Sequence, residues 1–390
     1  MQDANQKDFV QRIILAGFLI RIVLMFGIHV SGAEESMRLT KDAFLYDEVG
    51  QQIAEYYHTQ GATQWPTRVT RVVDFGWEHT IGVVYYLVGH QPIAIKMICV
   101  FAGTLIPLIH YRTASIITND SRIALLVLVL SAFFPTQVYY STLMVRDSVA
   151  ALAVSTLFLG VAEYVCRSSN YWWVYVAIGF LGMLGLRSYL ASMLAVVIPI
   201  SLMLTAFVSE GGRTRAVSGV VILGILLFGV ITFAPELVGE VDTQFTDLNY
   251  INKVRGKMNH GSGAMFSGGV TEVGKDITDT ITSFGVGLYF FFFSVNFAQI
   301  GSMRQIMALP EVFLVIFGTV FSLRGGYVLW KERRDLILPV LIPTLVLTLG
   351  YSAATTNGGP LMRWRMQLVG VYLILAATGW VCWSGKQYKS

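Results

Sequence analysis

The chain has 390 residues, of which 54% are hydrophobic and only 13% charged, with a mean hydropathy of +0.60. Those proportions exclude a water-soluble domain and describe a polytopic membrane protein. A net charge of +4, carried by scattered loop Lys and Arg, is too small for a nucleic-acid surface.

The first apolar run, Phe9–Val30, has charged flanks and no small-residue cleavage site, so it is expected to be a retained spanning helix rather than a signal peptide. Nine further runs of spanning length follow: Ile93–Tyr111, Ile123–Met144, Ser148–Val165, Tyr171–Leu186, Ser188–Val208, Ala216–Ala234, Ala308–Leu323, Leu336–Tyr351 and Gln367–Trp383. The expected fold is all-α, with about ten transmembrane helices in one integral membrane domain covering 1–390. Cys99, Cys166 and Cys382 lie in or beside these runs without metal-ligand spacing, which suggests neither a disulfide framework nor a zinc site.

Charge asymmetry orients the spans. Lys7, Arg12, Arg112, Arg122, Arg167, Arg213, Arg215, Lys331, Arg333, Arg334, Lys386 and Lys389 fall on one side, which marks it as cytoplasmic. Two long loops, 31–92 and 235–307, then face outward. His79–Val88 is too short to cross, and Phe284–Ile300 is aromatic-rich without charged flanks. Both are expected to lie in the outer interface, with re-entrant and spanning placements as the alternatives.

Within the first loop, Leu45, Val49, Ile53 and Tyr56 recur at helical spacing, with Asp47, Glu48, Gln51 and Glu55 on the remaining face. Asp42 is expected just before that helix, where an aspartate can cap free amides. Further charges gather at the outer boundary. Arg146 and Asp147 join the third and fourth spans in "STLMVRDSVA", where pairing with each other is the plain alternative. Arg187 occupies the tight turn "GLRSYLA", Arg363 and Arg365 precede the last span in "GGPLMRWRMQ", and Lys96 stands one turn inside its helix, where snorkelling would also explain it. An acidic helix opposite several cations suits a lipid phosphate. Arg and Lys can neutralise charge growing on a leaving phosphate while a carboxylate takes a proton from an attacking hydroxyl. Arg21, midway through the first span, is not explained by this reading.

An N-terminal span, a loop opening with "DAFLYDEVGQQIA", then "GVVYYLVGHQPIAIKMICVFAGTLIPLIHY", "FFPTQVYYSTLMVRDSVA" and a late "RWR" before a span together resemble the bacterial membrane glycosyltransferases of the GT-C fold. The resemblance implies a polyprenyl-phosphate-linked sugar donor, a glycan, glycolipid or protein acceptor, and an active site on the outer face of the bacterial cytoplasmic membrane. It implies an inverting transfer serving envelope polysaccharide or glycoconjugate synthesis. Asp42, Asp47 and Glu48 are the catalytic candidates, with Asp42 and Asp47 left as alternatives for the base. Lys96, Arg146, Arg187, Arg363 and Arg365 are expected to bind the lipid phosphate, with Asp147 and His79 supporting. No cofactor is implied, and these residues neither require a divalent metal nor preclude one. The larger family members carry a soluble C-terminal domain, whereas here none is expected after the last span. A polysaccharide polymerase or ligase using polyprenyl-diphosphate glycans would employ the outward arginines equally well. A lipid-linked glycan transporter would instead place charges in mid-membrane.

Overall fold

A computed structural model describes residues 2–32, 41–61, 76–166, 170–208, 221, 224, 277–293, 303–355 and 358–384. Among them every regular element is a helix: α1 (Gln2–Ser31), α2 (Lys41–Gln60), α3 (Gly76–Val88), α4 (Pro92–Thr118), α5 (Ser121–Ala132), α6 (Pro135–Tyr140), α7 (Asp147–Cys166), α8 (Trp172–Leu186), α9 (Ser188–Val208), α10 (Ile277–Phe293), α11 (Met303–Ala354) and α12 (Gly358–Trp383). Six described stretches are long and apolar enough to cross a bilayer: Asn5–Ser31, Pro92–Thr118, Asp147–Cys166, Ser188–Phe207, Leu309–Ala354 and Gly359–Trp383. The chain is a multi-pass membrane protein. The expected span Ala216–Ala234 apart from Val221 and Gly224, most of loop 235–307, and Arg167, Arg213, Arg215, Lys386 and Lys389 lie outside the described residues.

The longest element holds two passes. In its first half Ser322 Oγ donates to the Tyr372 carbonyl, and Gly325 stands against Leu375 and Gly379, so residue numbers rise together along α11 and α12. In its second half Thr348 meets the Tyr372 hydroxyl at 2.6 Å and Tyr351 meets Gln367 at 2.8 Å, so one number rises as the other falls. The two halves are therefore antiparallel. The reversal is at Arg333, whose φ of −141° and ψ of 37° leave the helical region, in the basic stretch Lys331–Arg334. Expected spans Ala308–Leu323 and Leu336–Tyr351 correspond to these halves. Gly325 and Gly379 permit the contact, because a Cβ on either would strike the facing backbone.

Ile123–Met144, expected as one continuous helix, is broken. α5 ends at Ala132, Phe134 is extended with ψ 119°, and Pro135 opens α6, since proline lacks an amide donor and disfavours helix in the residue before it. Breaking a helix at membrane depth strands carbonyls that lipid cannot satisfy. Arg21 meets that need: its Nη1 donates to the carbonyls of Ala132 at 3.0 Å and Gly17 at 2.9 Å, and its Nε to Ser141 Oγ at 3.1 Å. The side chain is wholly buried, so a charge unexplained by the sequence is the C-terminal cap of an interrupted crossing. At one end of this crossing Arg122 lies beside Cys382, and at the other Tyr140 lies against Arg363, so the segment runs the length of α12 in reverse.

α2 and α3 pack as a pair at the Asp147 end of the bundle. They cross at Gly50 and Gly82, where added Cβ atoms would meet Ile81 and Ile53 at 2.3 Å. The buried stripe of α2 is Ala43, Tyr46, Ile53, Ala54 and Tyr57, which corrects the expected apolar face, because Leu45 is 58% exposed. Side-chain size drew the expected face, whereas close crossing selected the stripe with glycine in it. The helix also begins at Lys41, so Asp42 lies in its first turn rather than ahead of it. α10 starts at Ile277, earlier than the expected Phe284, and its aromatic end is buried, with Phe290 and Phe291 in the main core.

Candidate functional site

Four segments bring their charges to one place. Asp147 is the first residue of α7, where the helix N-terminus favours a carboxylate, and it is 0% exposed. Arg187, in the one-residue break between α8 and α9, donates from Nη2 to Asp147 Oδ1 at 2.5 Å and from Nη1 to the Tyr189 hydroxyl at 3.0 Å. Arg363, in the second turn of α12, grips Asp147 Oδ2 through Nε and Nη2, each at 2.7 Å. Its third nitrogen, Nη1, reaches Asp42 Oδ2 on α2 at 2.5 Å. Arg146 completes the group: its Nη1 donates to the last carbonyl of α8, Leu186, at 3.0 Å, and its guanidinium stands 5.9 Å from the Tyr46 ring centre. Tyr140 receives Arg363 at the same distance.

Three guanidinium groups, of Arg146, Arg187 and Arg363, gather here with the carboxylates of Asp42 and Asp147. Arg187 is 4% exposed, and its Nε has no hydrogen-bond partner among the described residues. Burial also pushes the Tyr46 hydroxyl up to about 12, with the charges of Arg146, Asp147, Asp42 and Arg363 acting on it, so it remains a neutral wall of the cluster. A buried cluster of guanidinium groups of this kind can accept an anion.

A second centre forms on the same helix. Asp47 Oδ1 accepts from the Tyr85 hydroxyl at 2.5 Å, Gln51 Nε2 approaches Oδ2 at 3.2 Å, and His90 Nε2 lies 3.0 and 3.2 Å from the two oxygens. The Tyr85 hydroxyl also lies 3.6 Å from Met144 Sδ, two residues before Arg146, which ties this centre to the first. Asp42 and Asp47 differ by about 7.5 Å along the helix and about 140° around it, so they serve different centres.

Of the expected phosphate ligands, Arg146, Arg187 and Arg363 converge and Asp147 joins them. Arg365 does not. It is two residues from Arg363, about 200° around the helix, and it points to the other side. There it pairs with Glu311 and with the carbonyls of Phe291 and Phe292, while Glu311 accepts from the Thr136 amide at 2.8 Å and from its hydroxyl. Lys96 is buried on α4, one turn before Cys99, whose thiol donates to the Val145 carbonyl. Glu48 is exposed, on the open side of α2. His79 is buried between α2 and α3 at 3.4 Å from the Tyr57 hydroxyl, and burial pushes its pKa down, so it packs as a neutral ring.

Sequence reasoning missed His90, Tyr85, Tyr189 and Glu311. Glu311 carried a signal, being an acid directly after Pro310 at the start of an apolar run. His90 sat in the tight "GHQP" link, where Gly89 adopts φ +79° and Pro92 opens α4. Among the described residues no three His, Cys, Asp or Glu side chains are grouped to hold a metal ion. In comparison with known proteins, no family model and no curated protein matches the chain.

Proposed function

We propose that the protein transfers a sugar from a polyprenyl-phosphate-linked donor to a hydroxyl acceptor, at the outer face of a bacterial cytoplasmic membrane. The observation that carries this reading is the Arg363 fork. Two of its nitrogens are fixed by a buried aspartate, and the third is offered to a carboxylate whose side chain is 45% exposed. An arginine so oriented presents a rigid donor to an exchangeable anion. A lipid phosphate replacing Asp42 there would also meet Arg187 and Arg146.

In an inverting displacement the bond from the anomeric carbon to the phosphate oxygen breaks as the acceptor oxygen attacks from the opposite face. Negative charge then grows on the phosphate, where preorganised guanidinium groups stabilise it. The proton of the acceptor must be taken on the far side. Asp42 is bonded to Arg363 and therefore stands on the phosphate side, which favours Asp47 as the acid–base centre. A polymerase or ligase would place a diphosphate at the same arginines.

Purified protein supplied with polyprenyl-phosphate-linked hexoses and glycan acceptors tests the reading. Asp47→Asn is expected to slow transfer by roughly 10²–10⁴-fold, the usual worth of positioned proton transfer. Unchanged turnover in that variant would remove Asp47 from the chemistry. Activity only with polyprenyl-diphosphate glycans would select the polymerase or ligase reading.

A further inference from the structure

Both oxygens of Asp47 are already engaged. Oδ1 receives Tyr85 and His90, and Oδ2 receives Gln51 and His90. A carboxylate has about four lone-pair sites, and at most three donors reach this one, the single His90 Nε2–H being shared between its two oxygens, so Asp47 is held from several sides while the ring beside it stays open. The His90 side chain beside it is 49% exposed, against 24% for Asp47. The ring is the open part of this centre.

We propose that His90 takes the acceptor proton and that Asp47 positions it, an inference that rests on the glycosyl-transfer reading. When Nε2–H donates to Asp47, Nδ1 carries the lone pair, and the carboxylate fixes both tautomer and ring orientation. The acceptor O–H proton passes to Nδ1 while the oxygen's electron pair forms the new bond to the anomeric carbon. The carbon–phosphate-oxygen bond breaks with its electrons going to the phosphate, and the imidazolium then releases its proton to water. The groups facing the ring are Asp47 and Gln51 from α2 and Tyr85 from α3, whose ring stands edge-on at 4.9 Å. Burial, then the bond to Asp47, pushes Tyr85 well up, so it stays a donor wherever imidazole titrates. With the proton on Nε2, the Gln51 amide 2.8 Å away turns its oxygen to that N–H and gives up its contact with Asp47 Oδ2. The left-handed Gly89 sets the turn that carries the ring to this position.

The competing account is a latch that merely ties α2 to the α3–α4 link. The two are separated by the pH dependence of kcat, measured in purified full-length protein with a polyprenyl-phosphate hexose from about pH 5 to about pH 9. In the unmodified protein kcat should fall on the acid side as the ring is protonated. His90→Gln should reduce kcat roughly 10²-fold or more and abolish that acid limb. Its binding of polyprenyl phosphate, followed by tryptophan fluorescence, should change less than about twofold, since the arginines are untouched. Should His90→Gln fold poorly, His90→Asn gives the second reading, with the same loss of kcat and of the acid limb expected and lipid binding again nearly unchanged. A His90→Gln protein that binds lipid and keeps both kcat and acid limb overturns the proposal while leaving glycosyl transfer standing. An unmodified protein that neither binds nor turns over the lipid overturns both.

Discussion

Arg363 and Arg365 are two residues apart on α12, both bonded to carboxylates, yet they belong to different kinds of structure. Around Arg365 both partners are buried, and its Nε, like that of Arg187, has no hydrogen-bond partner among the described residues. Glu311 and Arg365 are 1% and 3% exposed, one carboxylate oxygen takes the guanidinium, the other takes Thr136, and the remaining guanidinium contact goes to α10 carbonyls. Around Arg363 one partner is buried and one is open, and two more arginines stand nearby. A closed set of partners fastens α6, α10, α11 and α12 together. An open set, with one carboxylate 45% exposed, can exchange one anion for another. Burial and partner count, rather than the presence of an ion pair, separate the bolt from the site.

The largest expected effect comes from breaking the bolt. Removing one member of a buried ion pair costs about 3–5 kcal/mol, so Arg365→Ala should lower the thermal unfolding transition in detergent far more than Arg363→Ala, which leaves Asp147 bonded to Arg187. The two should cross over in binding. Arg363→Ala should lose tenfold or more in affinity for polyprenyl phosphate, about 1.4 kcal/mol or more, whereas any Arg365→Ala protein that stays folded should bind nearly normally. Equal effects of both substitutions on stability and binding would erase the distinction.

A smaller effect sharpens it. If Asp42 holds the place of the lipid phosphate, Asp42→Asn should tighten polyprenyl-phosphate binding rather than weaken it. A half-exposed pair is worth about 0.2–1 kcal/mol, so the gain should reach at most about fivefold. Weaker binding in this variant would mean that Asp42 helps to hold the lipid instead of giving way to it.

Much of this was legible in the sequence, for identifiable reasons. Membrane character, the two passes on either side of Lys331–Arg334 and the gathering of Arg146, Arg187 and Arg363 follow from hydropathy and from the cost of charges near hydrocarbon. What could not be read depends on rotation and on distant partners. The stripe that α2 buries is set by Gly50 crossing Gly82, and small residues carry no apolar signal. Arg365 looked equivalent to Arg363 because composition ignores the face of the helix. Arg21 became intelligible only with its acceptor, the Ala132 carbonyl, 111 residues away. His90 is seen beside Asp47 only once α2 and α3 are paired.

The smallest expected effect lies at the opposite end of the bundle, where charges are structural and no anion site is proposed. Asp120 is the N-cap of α5: its Oδ1 accepts from the Arg122 amide at 2.9 Å and from Arg122 Nε at 3.1 Å, and its Oδ2 takes Nη2 at 2.6 Å. Loss of such a cap costs about 1 kcal/mol, so Asp120→Ala should lower the unfolding transition slightly and leave lipid binding unchanged. The hydrogen bond from Arg122 holds the Asp120 carboxyl below its ordinary value of 3.8. A carboxyl whose pKa is depressed by folding stabilises the fold above its unfolded pKa and loses that contribution as pH falls through the folded one. The difference in stability between the unmodified protein and Asp120→Ala should therefore be full at neutral pH and shrink below about pH 4. A difference that stayed constant down to that range would show that the helix end is held by something other than this carboxylate.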